Sequence, residues 1–231
     1  MSHPPSTLEV STAPTRPGPI RAVVFDLDGV VVDSSAVMRA AFSVAYAEVV
    51  GPGPAPFEEY NKHMGRYFPD IMRLMGLPLE MEEPFVRESY RLAHQVPLFP
   101  GVRETLEELS ERGIRMAVAT GKSGPRARSL LDLLGVLHLF DHVIGSDEVP
   151  RPKPAPDIVL RALELLGMPP HQAMMVGDAI TDLTSGRDAG VTTVATTWHG
   201  GDVEGLLAAA PDLVAHKPEE LLVHCPAVPA T

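Results

Sequence analysis

Apolar positions change their period twice along this chain. Residues 20–27 form a short apolar run that ends in Asp26-Leu27-Asp28-Gly29, which reads as a buried strand stopping at a glycine turn. Asp33-Ser34-Ser35 then offers a helix cap, and the spacing predicts a helix over 37–50. From 57 to 96 only helical spacing recurs, over 57–65, 67–75 and 82–95, each stretch bounded by Gly or Pro. After Pro100-Gly101 the pattern alternates. Helices are expected at 102–112, 125–134, 156–166, 180–189 and 203–209. Strands are expected at 114–119, 141–145, 173–176, 191–195 and 212–214. Strands alternating with helices imply a parallel, doubly wound α/β sheet covered on both faces. The expected organisation is a core of 20–35 and 97–225, an all-helical cap inserted at 36–96, and a disordered Pro/Ser/Thr-rich tail at 1–19.

Composition narrows the function classes. With 231 residues, 45% of them hydrophobic, the chain can bury a full core without disulfides or structural metals. The one cysteine, Cys225, has no partner and is expected to be a tail residue without a role, which suits a reducing, cytoplasmic setting. A net charge of −11 argues against a nucleic-acid partner. No apolar run is long enough to span a bilayer, so no membrane partner is expected. A small phosphate ester stays compatible, because a local cluster of Lys, Mg²⁺ and N–H groups overrides a global field.

Four clusters carry chemistry, and each follows a predicted strand, where open α/β sheets place their ligand crevice. In Val24-Phe25-Asp26-Leu27-Asp28-Gly29 two carboxylates lie two residues apart at a strand end, able to divide nucleophilic and acid/base roles. Read alone, Asp28-Gly29 is equally a simple turn. In Ala119-Thr120-Gly121-Lys122 a hydroxyl and a flexible N–H precede a helix start, an arrangement that suits a phosphate oxygen, although read alone it is more simply a helix-start loop without a ligand. In Pro152-Lys153-Pro154 a lysine between prolines suits a fixed point charge, although such strings are commonly surface loops. In Val176-Gly177-Asp178-Ala179-Ile180-Thr181-Asp182 a strand ends in acids whose hard oxygens suit Mg²⁺, while Asp182 equally suits a helix first turn.

Together, in this order and spacing, the four clusters closely resemble the haloacid dehalogenase superfamily, from Arg21 to about Leu222. The helical insertion is similar to the C1 cap of its phosphoglycolate phosphatase and β-phosphoglucomutase branch. The resemblance implies a Rossmann-like core and an Mg²⁺-dependent phosphatase. It implies that Asp26 is the nucleophile and Asp28 the general acid/base. Thr120, Gly121 and Lys153 would bind the phosphoryl group. Mg²⁺ would be held by Asp26, Asp178 and the Asp28 main-chain carbonyl, with Asp182 behind them. The presence of Asp28 separates the chain from the dehalogenase pattern and from the phosphonate-cleaving pattern. A phosphomutase of the β-phosphoglucomutase type is the alternative, and a non-catalytic binding protein the remote one.

Leaving-group specificity is expected from the cap, at Lys62, His63, Arg66 and Tyr67, with packing and solvated-face readings of the same residues standing level. Lys122, Ser123, Trp198 and His199 follow strand ends and are expected near the pocket rim. Phosphoglycolate, a sugar phosphate or a phosphorylated secondary-metabolite intermediate, as in antibiotic biosynthesis, all fit as substrate. Monomer and homodimer fit equally.

Overall fold

The structure, a computed structural model, describes residues 19–228, so all but the last residue of the expected tail lies outside it. Six parallel strands form one sheet: β1 Ala22–Phe25, β2 Arg115–Thr120, β3 His142–Gly145, β4 Ala173–Gly177, β5 Thr192–Thr196 and β6 Leu213–Ala215, in the order β3-β2-β1-β4-β5-β6. The chain builds outward from β1 through β2 to β3, then returns to the other side of β1 with β4. The reversal opens a crevice at the carboxyl ends of β1 and β4. Phe25 pairs in register with Val118 and Val176, so Asp26, Thr120 and Gly177 emerge along one edge of the sheet.

Alternating strand residues face opposite layers. Val23, Phe25, Met116, Val118, Met174 and Val176 join one buried cluster, beneath α5 (Val102–Glu111) and α6 (Gly124–Leu133). Ala22, Val24, Ala117, Ala119, Ala173 and Met175 face a second cluster, built from α7 (Asp157–Leu166) and the end of α8 (Ile180–Ala189). The four alanines on that face bring α7 close to the sheet. Gly186 does the same for α8, since a Cβ there would stand 2.8 Å from the Met175 Cβ.

The insertion makes its own core. The helices α1 Ser35–Val49, α2 Phe57–Asn61, α3 Phe68–Met75 and α4 Glu82–Arg91 surround Phe42, Phe57, Tyr60, Phe68 and Phe85, with Phe68 and Phe85 stacked at 4.1 Å between centroids. Two expected helices end early. The 57–65 stretch stops at Asn61 and turns through Gly65 at φ +85°, a conformation that glycine adopts without a Cβ penalty. The 82–95 stretch stops at Arg91 and finishes in a tight turn, because Pro97 holds Val96 extended, at ψ 116°. Among the described residues no helix is long and apolar enough to cross a membrane.

Cys225 corrects the expectation of an idle tail residue: it is fully buried in the cluster beneath α5, and Arg112 reaches its carbonyl at 3.0 Å. Burial pushes the thiol up to about 12, against the pull of Arg112. Cys225 is therefore expected to resist a thiol reagent such as dithionitrobenzoate in the folded protein and to react once the chain is unfolded in guanidinium. Fast native labelling would mean that the C-terminal segment detaches.

Candidate active site

The chain leaves β1 at Phe25, and the Asp26 N–H is still held by the Val176 carbonyl at 2.9 Å. That bond carries strand geometry one residue further and fixes the Asp26 side chain at the sheet edge, where it is almost fully buried. Lys153 comes in from the loop before α7. Its Nζ donates to Asp26 Oδ1 at 2.9 Å, Asp182 Oδ1 at 2.6 Å and the Ala119 carbonyl at 3.0 Å. All three ammonium protons are thus committed, and Lys153 stands as a fixed charge beside Asp26. Asp182 Oδ2 accepts the Ala179 N–H at 3.0 Å, so both of its oxygens are engaged. Asp182 thus caps its helix, as one sequence reading expects, and also holds the lysine, which neither reading foresaw.

Three carboxylates share this one cation. Asp26, Asp178 and Asp182 each present an oxygen, all within 4.8 Å of one another. Burial pushes the Asp26 carboxyl from its ordinary 3.8 up to about 7 against the pull of Lys153, with Asp182 and Asp28 adding repulsion. Asp178 is pushed well up by burial and by the charges of Asp182 and Asp26. Opposite the cluster, Gly29 (φ +84°) leaves room for it, since a Cβ there would fall 2.0 Å from Asp178 Oδ2. A buried excess of negative charge, an all-oxygen donor set and a glycine-made cradle fit a hard divalent cation such as Mg²⁺. Because Asp182 is spent on Lys153 and Ala179, Asp26 and Asp178 are the side chains left to hold it.

Asp28 has a different environment. Ser34 Oγ donates to its Oδ1 at 2.5 Å, and Lys122 Nζ stands 3.1 Å from its Oδ2. Burial raises this carboxyl, but Lys122 and Ser34 outweigh it and hold Asp28 below its ordinary value. The two aspartates are thus pushed in opposite directions, as expected where one fold divides two roles between like groups. Ser34 was read as part of a helix cap, yet its hydroxyl serves Asp28, while Asp33 Oδ1 takes the Ser35 N–H at 3.3 Å. Lys122, expected only at a rim, is buried. Its position two residues after Thr120 was the available signal; nothing local marked Ser34.

Thr120 is buried, and its Oγ1 accepts the Lys122 N–H at 3.2 Å, which leaves the hydroxyl proton free to donate. Ser146 clamps this loop from β3: its N–H reaches the Lys122 carbonyl and its hydroxyl the Thr120 carbonyl, each at 3.1 Å. Gly121 lies directly under the insertion. A Cβ there would stand 2.7 Å from both the Gly65 and Arg66 carbonyl oxygens. The cavity between the two layers, lined by Asp26, Asp28, Thr120, Gly121, Lys122 and Arg126 among others, is about 30 Å³, and water fills such a space one or two molecules deep. The insertion therefore rests on the core at Gly121. Gly121→Ala is expected to hold it ajar and to lower kcat by about tenfold or more, with little change in melting temperature. Unchanged kcat would show that closure does not need this contact.

Of the expected cap residues, Lys62, His63 and Arg66 line a second, larger cavity of about 400 Å³ with Asp178, Thr181 and His199. Lys62 is tied to Glu59 at 2.6 Å, and Arg66 lines both cavities. Tyr67 lines neither; it precedes the helix Phe68–Met75. Trp198 packs against the core, with its Nε1–H on the Val30 carbonyl at 3.0 Å.

The haloacid dehalogenase-like hydrolase profile matches residues 23–196, from β1 to the end of β5. The chain belongs to that family. A probable phosphatase IndB of Dickeya dadantii is 33% identical over 83% of this chain and 87% of its own length. A phosphoglycolate phosphatase of Pseudomonas putida is 32% identical over 91% of this chain and 81% of its own. A haloacid dehalogenase-like protein of Streptococcus pneumoniae, solved as a structure, superposes with a TM-score of 0.77 at 30% identity, covering 88% of this chain and 97% of that one. The chain is thus an enzyme of the capped, phosphatase-type branch of the family.

Proposed function

We propose that this enzyme hydrolyses a small phosphate monoester in two steps through an aspartyl phosphate on Asp26. The observation that carries the reading is the asymmetry of Asp26: Oδ1 is tied to Lys153, Oδ2 accepts no hydrogen bond among the described residues, and the carboxylate lines a small cavity shared with Asp28. Oδ2 attacks phosphorus, the P–O bond to the leaving group breaks, and the departing oxygen takes a proton from Asp28. Held ionised at rest by Lys122 and Ser34, Asp28 gains that proton as an anionic ester raises the local negative potential. Asp28 then takes a proton from water, the water oxygen attacks the same phosphorus, and inorganic phosphate leaves with Asp26 regenerated.

Lys153 supplies positive charge beside the attacking carboxylate, and Thr120 Oγ and the Gly121 N–H donate to phosphoryl oxygens. Mg²⁺, held by Asp26, Asp178 and the Asp28 main-chain carbonyl, would neutralise the repulsion between carboxylate and phosphate. The insertion, 36–96, closes on the core of 20–35 and 97–225 through Gly65 and Gly121 and excludes bulk water.

The test is phosphate release in the presence of Mg²⁺ across a panel of small esters: phosphoglycolate, hexose and pentose phosphates, nucleotides and aromatic riboside phosphates. Turnover that needs Mg²⁺ and Asp26 supports the reading. Isomerisation that depends on a bisphosphate, with no net release, would replace it with phosphotransfer.

A further inference from the structure

Arg126, in the first turn of α6, is a buried cation with no ion-pair partner among the described residues. It is 8% exposed, and its Nη2 is buried without a hydrogen-bond partner. Among the described residues no carboxylate pairs with it. The nearby acid, Asp28, takes Ser34 and Lys122 as its close partners and attracts Arg126 only through its charge. The guanidinium lies where core and insertion meet, 5.2 Å from the centroid of Phe85, and it lines the same small cavity as Asp26 and Asp28. A buried guanidinium with an unsatisfied donor is a cost to the free protein, and burial pulls its pKa down against the charge of Asp28. The other buried cations of the site are already paired: Lys153 with Asp26 and Asp182, and Lys122 with Asp28. Arg126 is the one whose fork of donors is left for a ligand.

Resting on the phosphatase reading, we propose that Arg126 receives a second anionic group carried by the leaving group, so that the preferred substrates are phosphate esters of small acidic alcohols. The transferred phosphoryl group belongs to Asp26, Lys153 and Thr120. Asp28 serves the departing oxygen, and Arg126 shares its cavity. The second anion therefore sits within a bond or two of that oxygen, as a carboxylate does on a two-carbon hydroxy acid. A planar fork matches a carboxylate through two parallel N–H bonds. A neutral polyol would leave the guanidinium buried and unpaired when the insertion closes, and sites built around such a group reject the analogue that lacks its partner. Selection against neutral esters thus comes from the buried guanidinium on the core helix α6; Lys62 and His63 face the wider cavity beside it, and the less buried Arg66 lines both.

The experiment compares phosphoglycolate with phosphoglycolamide, its neutral isostere, in the wild type, Arg126→Met and Arg126→Lys with Mg²⁺. The wild type is expected to favour the acid in kcat/KM by about 10²-fold, and Arg126→Met to bring the ratio close to one. Arg126→Lys keeps the charge without the fork and should retain part of the preference; it carries the test if the methionine variant does not fold. A wild type without preference, or a ratio that Arg126→Met leaves unchanged, overturns the proposal. The unchanged ratio would reduce Arg126 to a pin against Phe85. Absence of turnover on both compounds would count against the phosphatase reading only. Calorimetric binding to Asp26→Asn protein then decides: tighter binding of the acid, lost on adding Arg126→Met, supports the receptor, and equal binding of acid and amide overturns it.

Discussion

Asp26→Asn is expected to abolish turnover and, in the same molecule, to stabilise the metal-free fold. The amide has nearly the shape of the carboxylate, and its oxygen can still accept from Lys153. It is no nucleophile, and phosphate release should fall by about four orders of magnitude or more. Residual release near the wild-type rate would remove Asp26 from the reaction. The stability effect has the opposite sign because Asp26 is a cost to the fold. Burial lifts its carboxyl from 3.8 to about 7 in the folded state. Between those values the unfolded chain has lost a proton that the folded chain keeps. Metal-free stability therefore falls as pH rises from about 4 to about 7 and levels above that. Asparagine removes this share of the slope. The gap in unfolding free energy between variant and wild type should be near zero at pH 4 and reach up to about 4 kcal/mol at pH 8, a ceiling that the coupled acids reduce. Urea unfolding in the presence of a chelator at the two pH values measures it. A variant less stable than the wild type at pH 8 would mean that the Asp26 carboxylate is compensated without metal.

Much of this architecture was legible because its signals are local. A continuous apolar run entering Asp26, with similar runs entering Thr120 and Gly177, marks parallel strands buried on both faces, and such strands need no context to be recognised. The register that aligns their ends follows from pairing Phe25 with Val118 and Val176, so catalytic candidates far apart in the chain could be placed on one edge. Gly65 was visible as a breaker. Its meeting with Gly121 was not, because a close approach of two backbones leaves no trace except the absence of side chains at both positions.

The polar partners were the least legible part. Asp182 at a helix start and Ser34 beside an N-cap position carry ordinary local signatures, and tertiary contacts with Lys153 and Asp28 override them. Cys225 misled in the opposite direction. A cysteine six residues from the chain end, flanked by His224 and Pro226, carries no periodic signal, yet the segment folds back under α5 and buries it. Arg126 was hidden for a related reason. An arginine in the first turn of an amphipathic helix is ordinarily a solvated residue, and only the insertion, with Phe85 on its inner face, encloses it. In this chain the core sheet announces where the candidate catalytic residues gather, and the insertion decides which side chains there are dry.

Lys153→Met is expected to be the mirror image of Asp26→Asn. The lysine is fully buried and, among the described residues, is the only side-chain cation touching Asp26 and Asp182. Without it, Asp26, Asp178 and Asp182 face one another with no compensating charge, and breaking such a buried pair from one side costs about 3–5 kcal/mol. Asp26 and Asp178, already raised, are pushed further toward the protonated form, and the deficit depends on pH. At pH 5 the folded state buffers the loss by protonation; at pH 8 it must ionise buried acids or stay protonated at a cost. Metal-free Lys153→Met should therefore be close to its worst at pH 8 and recover toward the wild type as pH falls. Mg²⁺ should restore more stability to this variant than to the wild type, since the ion supplies the missing positive charge to Asp26 and Asp178. Activity should not recover with it, because the fixed charge beside Asp26 Oδ1 is absent, and a loss of about 10³-fold or more is expected. Adding Asp26→Asn to Lys153→Met removes one of the opposed acids and should return part of the lost stability. The double-mutant cycle gives the size of the coupling directly. Lys153→Met protein that is as stable as the wild type at pH 8 without Mg²⁺ would show that the acids are held together by something other than this lysine.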